Sequence, residues 1–421
     1  MRNSFYLLMA VLMLAGCQSS APETKLETGH WRLAMELAPG VELPVDLELT
    51  SQAEGYQAAF INGEERIEAD QVRLVGDSIY IDMSVFDAQF AGKIIRPGEI
   101  AGDWINFVKS ADYRIPFVAL AGDHPRFPAE SSPESVELSD RYAVTFSPEN
   151  PEDSYPAIGV FQRNGQIVQG TFLTETGDYR YLAGVLDGDE LKLSCFDGAH
   201  AFLFEAQVQP DGSLTGSFRS GSHWEEPWEG HPDPDVALRE PDQLTFLKEG
   251  YEGVDFRFTN LEGDTISLSD SRYQGKVVIV QILGSWCPNC MDETRLFAKW
   301  YDRYEQQGLE IVGLAFERAK DQAQAVKRVS KMKEALGVNY EILIASLTTN
   351  KQEAARALPM LNHILSYPTS IYLDREGRVR KIHTGFYGPG TGAPYDQFVE
   401  EYSRFLEKLL AEGDLSQMAA N

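Results

Sequence analysis

The stretch Lys276-Val277-Val278-Ile279-Val280-Gln281-Ile282-Leu283-Gly284-Ser285-Trp286-Cys287-Pro288-Asn289-Cys290 decides how the last two-fifths of this chain folds. Its first eight residues are a nearly continuous β-branched run, the pattern of a strand buried on both faces as in parallel sheets. Residues 291–306 then lack Gly and Pro and place Leu296, Trp300 and Tyr304 at steps of four, so a helix can lay one apolar stripe on that sheet. Both cysteines therefore fall at a strand-to-helix junction. Unsatisfied amide donors and the helix dipole favour a thiolate there, lowering a reference pKa of about 8.5. Cys287 is the expected nucleophile, and Cys290, one turn inside the helix, the expected resolving thiol.

Cys-x-x-Cys also serves as half of a structural zinc site, but the chain has no second Cys-x-x-Cys or His-x-His pair to complete one. A purely structural disulfide closed over two residues would restrict little of the unfolded chain and so stabilise little. Redox cycling is the use that fits the spacing.

Working outward, 421 residues leave room for two or three domains, each with its own core. The chain opens with Arg2 and Asn3, an apolar run from Phe5 to Leu14, and Leu14-Ala15-Gly16-Cys17. That run is too short to cross a bilayer and reads as a signal peptide, residues 1–17. The small residues before Cys17 resemble a bacterial lipobox, whose cysteine becomes the lipidated N-terminus. The expectation is an extracytoplasmic protein held to a membrane by lipid, on the periplasmic side in a two-membrane cell. Gln18 after the cysteine points towards the outer membrane.

The remaining cysteine, Cys195, alternates with Leu191 and Leu193 and reads as a buried, inert thiol. Charge is strongly acidic: 37 Lys+Arg against 64 Asp+Glu, a formal net charge of −27. Such a surface repels nucleic acid and anionic headgroups, so neither is an expected partner.

Residues 29–240 read as all-β, with turn dipeptides Asn62-Gly63, Asn164-Gly165 and Asp211-Gly212 suited to type I′ hairpins. The region looks duplicated. Trp31-Arg32-Leu33-Ala34-Met35 resembles Tyr142-Ala143-Val144-Thr145-Phe146, and Gly76-Asp77-Ser78-Ile79-Tyr80-Ile81 resembles Gly188-Asp189-Glu190-Leu191-Lys192-Leu193, at nearly one offset. Two related β units, 29–128 and 141–240, forming a sandwich or barrel, account for this. No catalytic constellation emerges among His30, His124, His200, His223 and His231, and Trp224, Trp228 and Tyr251 read as packing aromatics. The region reads as a docking or spacing module. His231-Pro232-Asp233-Pro234-Asp235 suggests a stiff linker ahead of the last domain, 250–412.

In that domain, Phe256-Arg257-Phe258-Thr259-Asn260-Leu261-Glu262-Gly263-Asp264-Thr265-Ile266, then Gly275-Lys276-Val277-Val278 and the Trp-Cys-Pro-Asn-Cys motif, resemble the TlpA/ResA-type thiol-disulfide oxidoreductases of the thioredoxin superfamily. Leu309 to Ala315 matches a second central strand, 320–336 the family's helical insertion, Tyr367-Pro368-Thr369 the cis-Pro loop and 398–410 the closing helix. The resemblance implies an α/β thioredoxin-like fold and dithiol–disulfide exchange without metal or organic cofactor. It further implies a disulfide-containing protein as substrate, docked along Trp286, Tyr367 and Pro368, and a membrane thiol-disulfide electron donor that keeps the pair reduced; oxidation of folding proteins is the alternative direction. Glu293 matches an acid near the family's active site, where a raised pKa would let it exchange protons with Cys290; a solvated first-turn acid is the alternative. Gln281 stands where thioredoxin carries a buried Asp. Three other functions compete: a peroxiredoxin-like peroxidase, whose Pro-x-x-x-Thr-x-x-Cys setting is missing; a Sco-type copper chaperone using His383, for which the spacing is one residue short; and a binding or scaffolding lipoprotein dominated by its β region.

Overall fold

The computed structural model describes residues 25–110, 112–129 and 136–418, with side chains to 412, so the lipobox at Cys17 lies outside the described residues. Its N-terminal region is all-β and its C-terminal region is a thioredoxin-like α/β fold.

The first β unit contains β1 (Gly29–Ala38), β2 (Val41–Gln52), β3 (Gly55–Asn62), β4 (Glu65–Glu68), β5 (Gln71–Val75), β6 (Ser78–Met83), β7 (Ala88–Arg96), β8 (Glu99–Asn106) and β9 (Arg114–Ala121). The second contains β10 (Arg141–Phe146), β11 (Tyr155–Asn164), β12 (Ile167–Thr174), β13 (Gly177–Asp178), β14 (Leu182–Asp187), β15 (Glu190–Phe196), β16 (Ala201–Val208), β17 (Leu214–Ser220) and β18 (Trp224–Pro232). Each is an up-and-down meander whose last strand returns to pair with its first: Leu33 opposite Ala119 in one, Val144 opposite Gly230 in the other. The second closes fully because β11 also pairs with β12. In the first, the turn after β4 bridges the seam, Ala69 N donating to Ala58 O of β3 and Asp70 N to Asp82 O of β6, both at 2.9 Å. The match is strand for strand, so the repeat in sequence is a repeat in topology.

Alternation puts Trp31, Leu33 and Met35 inside the first barrel, and Tyr142, Val144 and Phe146 inside the second. The barrels also share a seam. Phe196 of β15 packs on Phe60, Phe90 and Trp104 at ring separations of 4.8, 5.3 and 5.5 Å. Asn62, fully buried, accepts from Phe196 N at 3.1 Å and donates to Phe196 O at 2.9 Å.

That use of Asn62 corrects the expected turn. Asn62 pairs with Glu65 and Asn164 with Ile167, so Gly63 and Gly165 take the first central position and each asparagine ends its strand. Only the glycines adopt positive φ there, +57° and +64°, whereas type I′ needs it at both central residues. Glycine meets no Cβ penalty at positive φ, which frees the Asn62 amide for the barrel seam.

The C-terminal sheet runs β20-β19-β23-β22-β21-β24-β25, built from β19 (Arg257–Asn260), β20 (Thr265–Ser267), β21 (Val277–Leu283), β22 (Leu309–Phe316), β23 (Glu341–Ser346), β24 (Thr369–Leu373) and β25 (Val379–Thr384). β21, β22 and β23 are parallel. Helices α1 (Pro288–Tyr304), α2 (Gln322–Ala335) and α4 (Ala393–Met418) cover the face that carries Val277, Ile279 and Leu283. Helix α3 (Lys351–Ala357) covers the face that carries Val278, Val280 and Ile282. Both faces being buried explains why β21 is apolar without alternation.

The expected linker begins later than its prolines suggest, and contacts with the last domain begin before the expected start at residue 250. His231 and Pro232 still belong to β18, because His231 pairs with Ala143 and Pro232 with Tyr142. By Asp242 the chain is already seated on the last domain, accepting from Tyr402 Oη at 2.9 Å. Among the described residues, no helix is long and apolar enough to cross a membrane.

Candidate active site

Strand β21 ends at Leu283 and helix α1 starts at Pro288, so the intervening turn aims Cys287 along the helix axis. Cys287 is the N-cap: its Sγ accepts from Cys290 N at 3.3 Å, satisfying one orphan donor of the first turn. Pro288 at N1 suits this start, since its missing N–H costs no hydrogen bond there. The thiols are free and differ in access: Cys287 is 7% exposed, Cys290 fully buried. Burial drives the Cys290 pKa well above an ordinary thiol's, and the neighbouring Cys287 sulfur adds to the rise. Cys195 is the third free thiol, sealed in the second barrel's core with its pKa likewise raised by burial.

The loop before β24 supplies the opposite wall. The Tyr367–Pro368 bond is cis, and Tyr367 O lies 3.3 Å from Cys287 Sγ. The Tyr367 ring packs edge-on to Trp286 at 5.5 Å, while its hydroxyl is buried without a partner. Trp286 is fixed by Nε1 donating to Phe316 O at 2.9 Å, and Arg318 lies 4.5 Å above its ring. Trp286, Cys287, Cys290, Tyr367 and Pro368 thus share one site.

Beneath the cysteines, Glu293 is fully buried on the sheet-facing side of α1. Gln281 Nε2 donates to its Oε2 at 2.8 Å, and its Oε1 has no partner. Burial raises its pKa to about 8, offset only in part by the Gln281 amide. The glutamine is itself anchored: its Oε1 accepts from Tyr340 Oη at 3.2 Å and Thr294 Oγ1 at 3.3 Å. A second buried acid, Glu317, accepts from Ser285 N at 2.8 Å and Ser285 Oγ at 2.7 Å, bracing the turn ahead of Trp286. His383 stays out of the site, bonded to Tyr402 Oη at 2.7 Å. Among the described residues, no cluster of three or more His, Cys, Asp or Glu could hold a metal.

The second barrel reaches this site directly, which sequence reading did not anticipate. Ser366 Oγ donates to Thr176 O at 2.6 Å, Gly388 N to Asp178 Oδ2 at 2.6 Å, and Asn289 Nδ2 to Asp178 O at 3.3 Å. A Cβ on Gly385 would meet Thr176 C at 2.9 Å, so the segment between β12 and β13 lies flush on the domain. Arg180 completes the junction: fully shielded, it pairs with Asp292 of α1 and with Glu65 of the first barrel at 2.7 Å. No local pattern marks Arg180 as buried; of its four acidic neighbours, at residues 65, 178, 197 and 292, only Asp178 is close in sequence.

The family profile described as AhpC/TSA matches residues 250–382. The thiol-disulfide oxidoreductase ResA of Geobacillus thermodenitrificans is 30% identical over 145 residues, covering 34% of this chain and 73% of that protein. This chain belongs to the ResA-type thiol-disulfide oxidoreductases. ResA of Halalkalibacterium halodurans is 28% identical over 163 residues, covering 39% of this chain and 80% of that protein. A thiol:disulfide interchange protein of the thioredoxin family from Chlorobium tepidum, known as a crystal structure, is 21% identical, spans 39% of this chain and 98% of its own, and superposes with a TM-score of 0.30. These ResA matches cover no more than two-fifths of the chain, so they leave the barrels without a counterpart.

Proposed function

We propose that this ResA-type oxidoreductase reduces disulfides in partner proteins outside the cytoplasm, held to a membrane through lipid on Cys17. The observation that carries the reading is the asymmetry of the pair: Cys287 reaches the surface at a helix N-terminus and Cys290 is sealed behind it. Cys287, as thiolate, attacks one sulfur of the target disulfide. That S–S bond breaks, the second target sulfur leaves and takes up a proton, and a mixed disulfide forms. Cys290 then gives its proton to ionised Glu293 and attacks Cys287 Sγ. The mixed disulfide breaks, the target leaves as a dithiol, and Cys287–Cys290 retains the oxidation equivalent. Two electrons have passed to the target, and a membrane thiol-disulfide donor restores them.

Docking falls to the Trp286 ring, the Tyr367 backbone and Pro368. An extended target segment pairs with the main chain there.

Trapping tests the scheme. Cys290→Ala should hold its target on Cys287 as a mixed disulfide that Cys287→Ala does not form; failure to trap anything under reducing-donor conditions would sink the reductase assignment. Glu293 has its own test. With a pKa of about 8, its basic form grows as pH rises through that value, so the resolution rate should climb between pH 7 and 9. Glu293→Gln should flatten that climb. A folded pKa above the reference 4.5 also means that stability is lost as pH rises through about 8, so the same variant should melt higher than the parent at pH 9.

A further inference from the structure

Two cations, Lys109 and Arg318, and the imidazole of His223 converge on the Trp286 flank of the site in a chain whose overall charge is −27. Lys109, just past the end of β8, places Nζ 3.0 Å from His223 Nε2, in the turn between β17 and β18. Tyr113 Oη lies 3.1 Å from His223 Nδ1 and accepts from Ser222 N at 3.2 Å, tying the two barrels together at this point. The second cation is Arg318, stacked over Trp286. Arg328 of α2 links them: it donates to Arg318 O and, at 3.4 Å, to Phe107 O, while its own charge is taken by Asp87 at 2.7 Å.

Among the described residues, neither Lys109, His223 nor Arg318 forms an ion pair with a carboxylate. Arg318 Nε donates to Thr349 Oγ1 at 3.1 Å, and Lys109 lies 4.8 Å from the Tyr113 ring centre. The nearby acids are committed elsewhere: Asp197 to His200 at 2.9 Å, Asp87 to Arg328, Glu317 to Ser285. The cations therefore act on one another. Burial and then Arg318 pull Lys109 down to about 8; burial, Lys109, His200 and Arg318 pull His223 down to about 4. An arriving carboxylate would relieve that repulsion, and the field of Arg318 also reaches Cys287. The Asn289 flank is closed by Thr176 and Asp178, which leaves the Trp286 flank for an incoming chain.

We propose that Lys109, His223 and Arg318 form a docking site for acidic side chains beside the target disulfide, so that both barrels help to select a protein substrate. The proposal rests on the reductase reading and names the substrate class for it: a disulfide flanked by Asp or Glu. Local positive potential in an acidic protein gives selectivity more than bulk attraction, because mismatched charge is rejected at the mouth.

The test uses two disulfide-bridged peptides, identical except that two residues beside one cysteine are Asp in one and Lys in the other. The full-length reduced protein should reduce the Asp peptide about tenfold faster in kcat/KM at low ionic strength, and the ratio should shrink as added salt screens the contact. Lys109→Glu should collapse or invert the ratio. Should that variant melt early, His223→Asp probes the same site from the other barrel and should do likewise. Equal rates for the two peptides, or a ratio that survives both substitutions, would overturn the docking site. If neither peptide is reduced and Cys290→Ala traps nothing, the reductase reading itself falls with it.

Discussion

The two barrels follow one nine-strand path but use the same hairpin for different ends. In the first, β3 and β4 pair over four residues, from Asn62 opposite Glu65 to Ala59 opposite Glu68, and the turn faces the neighbouring barrel through Asn62 and Glu65. In the second, the partner strand β13 is cut to Gly177 and Asp178, and the residues freed from the ladder lie against Ser366, Gly385 and Asn289. The two barrels are copies of one scaffold. With the shorter strand, that hairpin forms part of the enzyme mouth.

Arg180 is where the two hairpins meet, and removing it should have the largest effect. Arg180→Met leaves Glu65 and Asp292 buried without their shared cation, for a loss of about 3–5 kcal/mol in denaturant unfolding. A loss below about 1 kcal/mol would mean that each hairpin is seated independently. Arg180 also adopts φ +64°, a left-handed conformation rare for a side chain of this size, which the ion network must sustain.

A paired glycine comparison comes next. Gly177 has φ +143° and an added Cβ would run into Asn289 Nδ2, so Gly177→Ala should cost about 2 kcal/mol and shift the reduction potential of the cysteine pair. Gly63→Ala, at φ +57°, meets the flexible end of Gln169 at 3.0 Å and should cost about 1 kcal/mol with the potential unchanged. Equal shifts in potential from both would erase the distinction drawn between the hairpins. The smallest effect is expected of Ser366→Ala, which removes the 2.6 Å bond to Thr176 O, about 1 kcal/mol in thermal melts.

What could be read from the sequence was local. The β-branched run and the Cys-x-x-Cys at its end are governed by neighbours in the chain, and the barrel repeat showed because two copies keep the same residues at one spacing. Glu293 was ambiguous because an acid in a first helical turn is favoured by the dipole whether exposed or buried; only Gln281, on the strand beneath, distinguishes the two. In both Asn-Gly turns the asparagine ends its strand, and at the first the Asn62 side chain is taken by Phe196, 134 residues away. The contacts of Asp178 with Asn289 and of Lys109 with His223 span more than 100 residues each and carry no periodicity. Such pairings are products of packing, and no window along the chain contains both partners.

The second barrel is closed all the way round, so β13 and its turn project from a ring that does not depend on them for its own hydrogen bonding. Residues 175–180 can therefore change without breaking the ring's hydrogen bonding, and any such change is felt at Asn289, between the two cysteines.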